Sequence, residues 1–179
     1  MINELMKDTA MVKEMLKMQK ALNDSIMEKK GLVWNQSKFN DTNLDLAIID
    51  EVGELNHELK KKWCWWKDTQ PDVDTAKALE ELVDIWHFVL SKYYLVVESK
   101  FHNEDYIKYL IQQDLLRGVR LAYEYLADRD NPIVEFIRSD FDLDNVVALT
   151  VGLGFDVENV YREYLKKNKE NYERLERGY

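Results

Sequence analysis

Disulfides, breakers, membrane spans and positive charge are what this sequence lacks. Its single cysteine, Cys64, excludes an internal disulfide and a thiolate metal cluster. Two prolines and six glycines, never gathered into a Gly/Ser-rich or repetitive stretch, argue against a linker, an internal repeat or a disordered region. No long apolar run and no N-terminal apolar region is present, so a soluble, intracellular protein is expected. A net charge of -9 argues against a protein that coats nucleic acid or an anionic membrane.

What is present can fill a core. Hydrophobic residues make up 46% of the chain, with five Trp, ten Tyr and six Phe, enough for one domain spanning residues 1–179. Positive charge is nevertheless clustered, in Lys60 to Lys67 and in the terminal YLKKNKENYERLERGY, so local anion binding stays open.

Apolar periodicity predicts an all-α fold, a helical bundle of about five to seven helices. Helices are expected over about 10–30, stopped by Gly31, and from an N-cap at Asn43 to Trp63. A third starts at Asp74 and runs through LEELVDIWHFVLSKYY to about Lys100. Others are expected over about 104–127, 132–139, 143–153 (ended by Gly152 and Gly154) and from after Asp156 to about 176.

In AIIDEVGELNHELKKKW, Glu51 and Glu54 stand three apart beside the apolar stripe of Ile48, Val52, Leu55 and Leu59. The next long helix repeats the pattern with Glu81 and Asp84 beside Leu82, Val83 and Phe88. Residues three apart on a helix are neighbours, and burying unpaired carboxylates is costly. Either the two pairs are solvated helix faces, or a cation neutralises them. Oxygen ligands without cysteine favour Mg²⁺, with Mn²⁺ as a substitute, and Mg²⁺ held this way completes its shell with water and phosphates. A second metal reading uses Glu54 with His57 and Asp84 with His87, the spacing of a di-iron carboxylate bundle. It fits less well, because the extra acids Glu51 and Glu81 fall on the same helices as the two motifs.

EVGELNHELKKKWCWWK, LEELVDIWHFVLS and LTVGLGFDVENVYREYLKKNKENYERLERGY together resemble the dimeric, all-α dUTPases of some bacteria, their phages and trypanosomatids. These belong to the all-α nucleoside triphosphate pyrophosphatases. The likeness is weakest over about 96–140, and the Trp-rich KKKWCWWK departs from the family pattern. The resemblance implies a cytoplasmic homodimer that hydrolyses dUTP, and dUDP, to dUMP. It implies that Glu51, Glu54, Glu81 and Asp84 hold two or three Mg²⁺ ions. A water bridging two ions would attack the α-phosphorus, with Glu54 orienting or deprotonating it.

The same resemblance places Gln19, Asn23 and His87 at the base or sugar, with Trp66, or else Trp63 or Trp65, stacked on the base. Within a phosphate-contacting segment at 161–179 it assigns Lys167, Asn168, Asn171 and Arg174 to the phosphates, and Gly178 and Tyr179 to an end that orders over substrate. Two other functions are open: a related pyrophosphatase for another nucleotide such as dCTP, and a non-catalytic helical interaction protein.

Overall fold

A computed structural model describes residues 2–33, 40–100 (backbone only for 98–100) and 103–178. Among these residues there are eight helices and no strand. They are α1 (Ile2–Lys30), α2 (Asp41–Glu58), α3 (Lys60–Trp63), α4 (Thr75–Lys100), α5 (Glu104–Asp128), α6 (Pro132–Ile137), α7 (Leu143–Gly152) and α8 (Val157–Arg177). None of them is long and apolar enough to cross a membrane.

Local chemistry sets most of the boundaries. Asp74 caps α4, its Oδ1 accepting from the N–H groups of Ala76 (3.0 Å) and Lys77 (3.2 Å). Asp156 and Asn159 form a reciprocal capping box at the start of α8. Gly31 follows α1 with φ +62°, a left-handed conformation that glycine adopts without a Cβ penalty.

Three expectations are corrected. The N-cap of α2 is Asn40, whose side chain accepts from the Asn43 N–H at 2.9 Å, so Asn43 lies inside the first turn. The run expected to reach Trp63 without a break turns at Leu59 and resumes as the short α3. Finally, α1 starts eight residues earlier than expected, at Ile2. Its first turns are polar at most positions, and the residue they bury is Thr9, whose hydroxyl donates back to the Leu5 carbonyl at 2.6 Å.

Helix α4 is central, packing against α1, α2, α7 and α8. It runs antiparallel to α2: Lys92 meets Asp45 at 2.6 Å near one end, while Asp84 and Glu51 converge further along. It also runs antiparallel to α8, with His87 against Tyr164 and Asp84 against Lys167. Helices α1 and α8 lie parallel, joined by Lys7 to Glu158 at one end and by Lys29 to the Glu176 carbonyl at the other. The core between them includes Met15, Ile48, Leu55, Leu82, Ile85, Trp86 and Leu90. Trp86 keeps its one polar atom satisfied by donating to Thr150 Oγ1 at 2.9 Å. Helix α5 presses onto α7 through Gly118, where an added Cβ would fall 2.5 Å from the Asp144 carbonyl oxygen and 2.6 Å from Val147 Cβ.

Candidate active site

Antiparallel pairing of α2 with α4 brings the two acidic motifs face to face. Glu51, Glu81 and Asp84 each offer a carboxylate oxygen, and these oxygens lie within 4.8 Å of one another. Glu54 is exposed and outside that cluster, yet its charge helps raise the pKa of both Glu51 and Glu81. Burial, followed by the charges of Asp84, Glu54 and Glu81, pushes Glu51 up to about 7. Glu81 and Asp84 are raised too, first by burial. Crowded oxygen donors whose charges oppose one another fit a hard divalent cation. The di-iron pattern does not form: His57 is exposed and His87 turns to Gln19, so neither joins the carboxylates.

One cation of the chain already reaches this cluster. Lys167, 8% exposed, places Nζ 2.8 Å from Asp84 Oδ2 and 2.7 Å from Glu80 Oε1. Burial alone would depress its pKa, but hydrogen bonds to Asp84 and Glu80 outweigh that and raise it. Asn171 and Arg174 follow one and two turns on, and both line the cavity described below. Arg174 also meets Glu170 at 2.5 Å. Asn168 is buried beside the Tyr164 hydroxyl, and its Nδ2 has no hydrogen-bond partner of good geometry among the described residues.

Toward the other end, α1 and α4 share a closed amide network. Gln19 Nε2 donates to Asn23 Oδ1 and to Ser91 Oγ, both at 3.0 Å. Asn23 Nδ2 donates to the same Ser91 Oγ at 3.0 Å, and that hydroxyl donates to the His87 carbonyl at 2.9 Å. Gln19 Oε1 accepts from the Tyr164 hydroxyl at 2.7 Å and stands 2.6 Å from His87 Nδ1, which must therefore carry the proton. The His87 ring stacks on Tyr164, centroids 4.1 Å apart. Burial, helped by the charge of Lys167, pulls the histidine pKa down to about 3, so the ring is neutral. Its Nε2 is covered and has no hydrogen-bond partner among the described residues.

A cavity of about 350 Å³ connects the carboxylates, the amide network and α8. Gln19, Asn23, Glu51, Asp84, His87, Asn171 and Arg174 line it, with Leu22, Ile26 and Phe88 as apolar wall. Glu54, Glu81, Lys167, Asn168, Trp63, Trp65 and Trp66 are not in that lining. Trp66 is 57% exposed and packs against Trp63 and Trp65, at centroid distances of 5.6 and 5.8 Å. Trp63 donates its indole N–H to the Asn56 carbonyl. Gly178 is the left-handed C-cap of α8, and Tyr179 lies outside the described residues.

Ser91, Phe88, Lys30, Tyr164 and Glu80 were missed by reasoning from sequence. Ser91 stands one helical turn after His87 and Tyr164 one turn before Lys167, so stepping by three or four from residues already selected would have found both.

Neither a curated protein nor a solved structure matches the chain. The sequence profile of one family, described as dUTPase, matches residues 11–179, which contain every site residue named above. With a match over nearly the whole length, the chain belongs to the dUTPase family.

Proposed function

We propose that this member of the dUTPase family hydrolyses dUTP, and dUDP, to dUMP in the cavity between α1, α2, α4 and α8. The observation that carries the proposal is the convergence of Glu81 with Glu51 and Asp84, the latter two in the wall of a cavity that a neutral amide network and Arg174 of α8 also line. Two or three Mg²⁺ ions, or Mn²⁺ in their place, held by these carboxylates with Glu54 at the exposed rim, would neutralise the phosphates and make water acidic enough to be a nucleophile.

The chain's own groups do the rest. Glu54, solvent-accessible beside the cluster, orients the attacking water and takes its proton as it adds to the α-phosphorus. Asn171 and Arg174 offer N–H donors and positive charge to the β- and γ-phosphate oxygens. Lys167 joins them once Asp84 no longer holds its ammonium, and Asn168, buried beside the Tyr164 hydroxyl, supplies an amide donor nearby. Asn23 reads the base. Gln19 has both its N–H donors and its oxygen engaged, so it serves by holding Asn23 and His87 in place. Trp66 is exposed and free of core packing on one side, which suits it to cover the base from outside the cavity.

The assembly proposed is a cytoplasmic homodimer of bacterial or phage origin. Helix α5 supports the pairing: Tyr109, Leu116 and Tyr123 recur every seven residues, with Val119 and Leu126 three residues after Leu116 and Tyr123, all 39–65% exposed. This is the a/d spacing of a helix that packs against another helix. The stripe offers on the order of 600 Å², approaching the ~800 Å² that each partner contributes to a standard interface.

Pyrophosphate release from a panel of nucleotides, with Mg²⁺ and with EDTA, tests the function. Selective, metal-requiring turnover of dUTP supports it. Preference for dCTP would transfer the same chemistry to another base, and inertness toward every nucleotide would leave an interaction protein.

A further inference from the structure

We propose that Ser91 is a positioning residue for base selection, because it sets which way the Gln19 and Asn23 amides point. This rests on the reading of the cavity as a pyrimidine nucleotide site. A serine hydroxyl has one proton, and here the backbone carbonyl of His87, an acceptor that cannot reverse, takes it at 2.9 Å in preference to Asn23 Oδ1 at 3.5 Å. Ser91 Oγ therefore only accepts from the two side-chain amides, so Gln19 and Asn23 must both turn nitrogen toward it. Asn23 Oδ1 is then the atom facing Gln19 Nε2, and Gln19 Oε1 is left to face His87 and Tyr164. One fixed carbonyl thereby orders two amides and a histidine tautomer.

The consequence reaches the ligand through Asn23 at the cavity wall, which among the described residues has one N–H without a partner and an Oδ1 that, besides Gln19 at 3.0 Å, meets only the 3.5 Å contact of Ser91. Uracil presents N3–H as donor beside O4 as acceptor, whereas cytosine presents N3 as acceptor beside its amino group as donor. A freely rotating amide would satisfy either base by turning over. An amide locked in one direction satisfies one of them and leaves the other with opposed donors and acceptors, a mismatch that costs selectivity far more than a lost methyl group does.

Ser91→Ala removes the anchor, and the ratio of kcat/KM for dUTP over dCTP is expected to fall on the order of tenfold or more. Ser91→Cys, which retains a weak donor and acceptor, should recover part of the ratio. Ser25→Ala, which deletes a hydroxyl making the same bond to a carbonyl four residues back but outside the network, should keep it. In the unmodified protein, ¹⁵N NMR of the imidazoles, with His87 assigned by its loss in His87→Gln, should show the Nδ1–H tautomer. That measurement stands even if Ser91→Ala fails to fold. An Nε2–H tautomer, an unchanged ratio in folded Ser91→Ala, or collapse of the ratio in Ser25→Ala would each overturn the proposal while dUTP turnover by the parent leaves the site assignment intact. Absence of pyrimidine nucleotide turnover in the parent would remove the site assignment itself, and this proposal with it.

Discussion

Lys167 Nζ rests 2.8 Å from Asp84 Oδ2, so helix α8 lends its own ammonium to one of the three carboxylates proposed above to hold a metal. In the metal-free protein this contact partly compensates the crowding of Glu51, Glu81 and Asp84. Lys167→Met is expected to lower metal-free stability by about 1–3 kcal/mol, the usual cost of leaving a hydrogen-bonded charge unpaired. Saturating Mg²⁺ should return most of that loss. Thermal melts with EDTA and with Mg²⁺ check this, and an identical deficit in both would mean that the lysine acts only by packing.

Glu51→Gln should cost at least about 100-fold in kcat/KM while making the metal-free protein more stable. The sign follows from its pKa. Glu51 titrates near 7 in the fold and near 4.5 in the unfolded chain, so the folded form holds the proton more tightly. Its contribution is unpenalised below pH 4.5 and is lost as pH rises toward and past 7. Chemical denaturation of the metal-free protein from pH 5 to 8 should show the parent losing stability relative to Glu51→Gln as pH rises.

His87 runs the opposite way. Its folded pKa is about 3 against 6.5 unfolded, so the unfolded chain takes up the proton first and stability falls as pH drops below 6.5. Relative to His87→Gln, the parent should lose up to about 1.4 kcal/mol per pH unit between pH 6 and 4. Parallel stability curves for the two proteins would show that the ring is not held neutral.

The α5 stripe makes a prediction of its own. Leu116→Glu combined with Tyr123→Glu places charge on the exposed face without touching the core residues Ile111 and Leu115. Light scattering should then report a monomer with unchanged helicity. A parent that is already monomeric at micromolar concentration would remove the homodimer.

Gly118→Ala is expected to cost roughly 1–3 kcal/mol, the range for overpacking. The added Cβ meets backbone oxygen and a β-branched side chain, neither of which rotates out of the way. A melting temperature within a degree of the parent would contradict the close approach of α5 to α7.

How much could be read from the sequence depended on whether the deciding partner was near in the chain. Asp74, Gly31 and Asp156 act on residues within a few positions, so their caps and stops were legible. The meeting of Glu51 with Glu81 and Asp84 was legible because spacing of three puts each pair on one face and a short connection makes α2 and α4 antiparallel neighbours, whereas Glu54 of the same pairs stays exposed outside the cluster. Lys167 was selected for its charge, but its pairing with Glu80 joins residues 87 apart and follows only from the direction of α8. Gln19 looked like a free amide. Its saturation by Ser91, Tyr164, His87 and Asn23 depends on three helices meeting, which periodicity does not report. Trp66 has a ring suited to stacking, yet residue type carries no information about which cavity a loop faces.

Helix α8 works as a ruler. Tyr164 touches the amide network and Arg174 the opposite part of the cavity, ten residues and about 15 Å apart along one rigid rod. Inserting or deleting a single residue between them would swing every later side chain by about 100° around the axis, disconnecting one end of the substrate from the other. Length changes in relatives of this chain should therefore collect in the connections between helices and be missing from this interval.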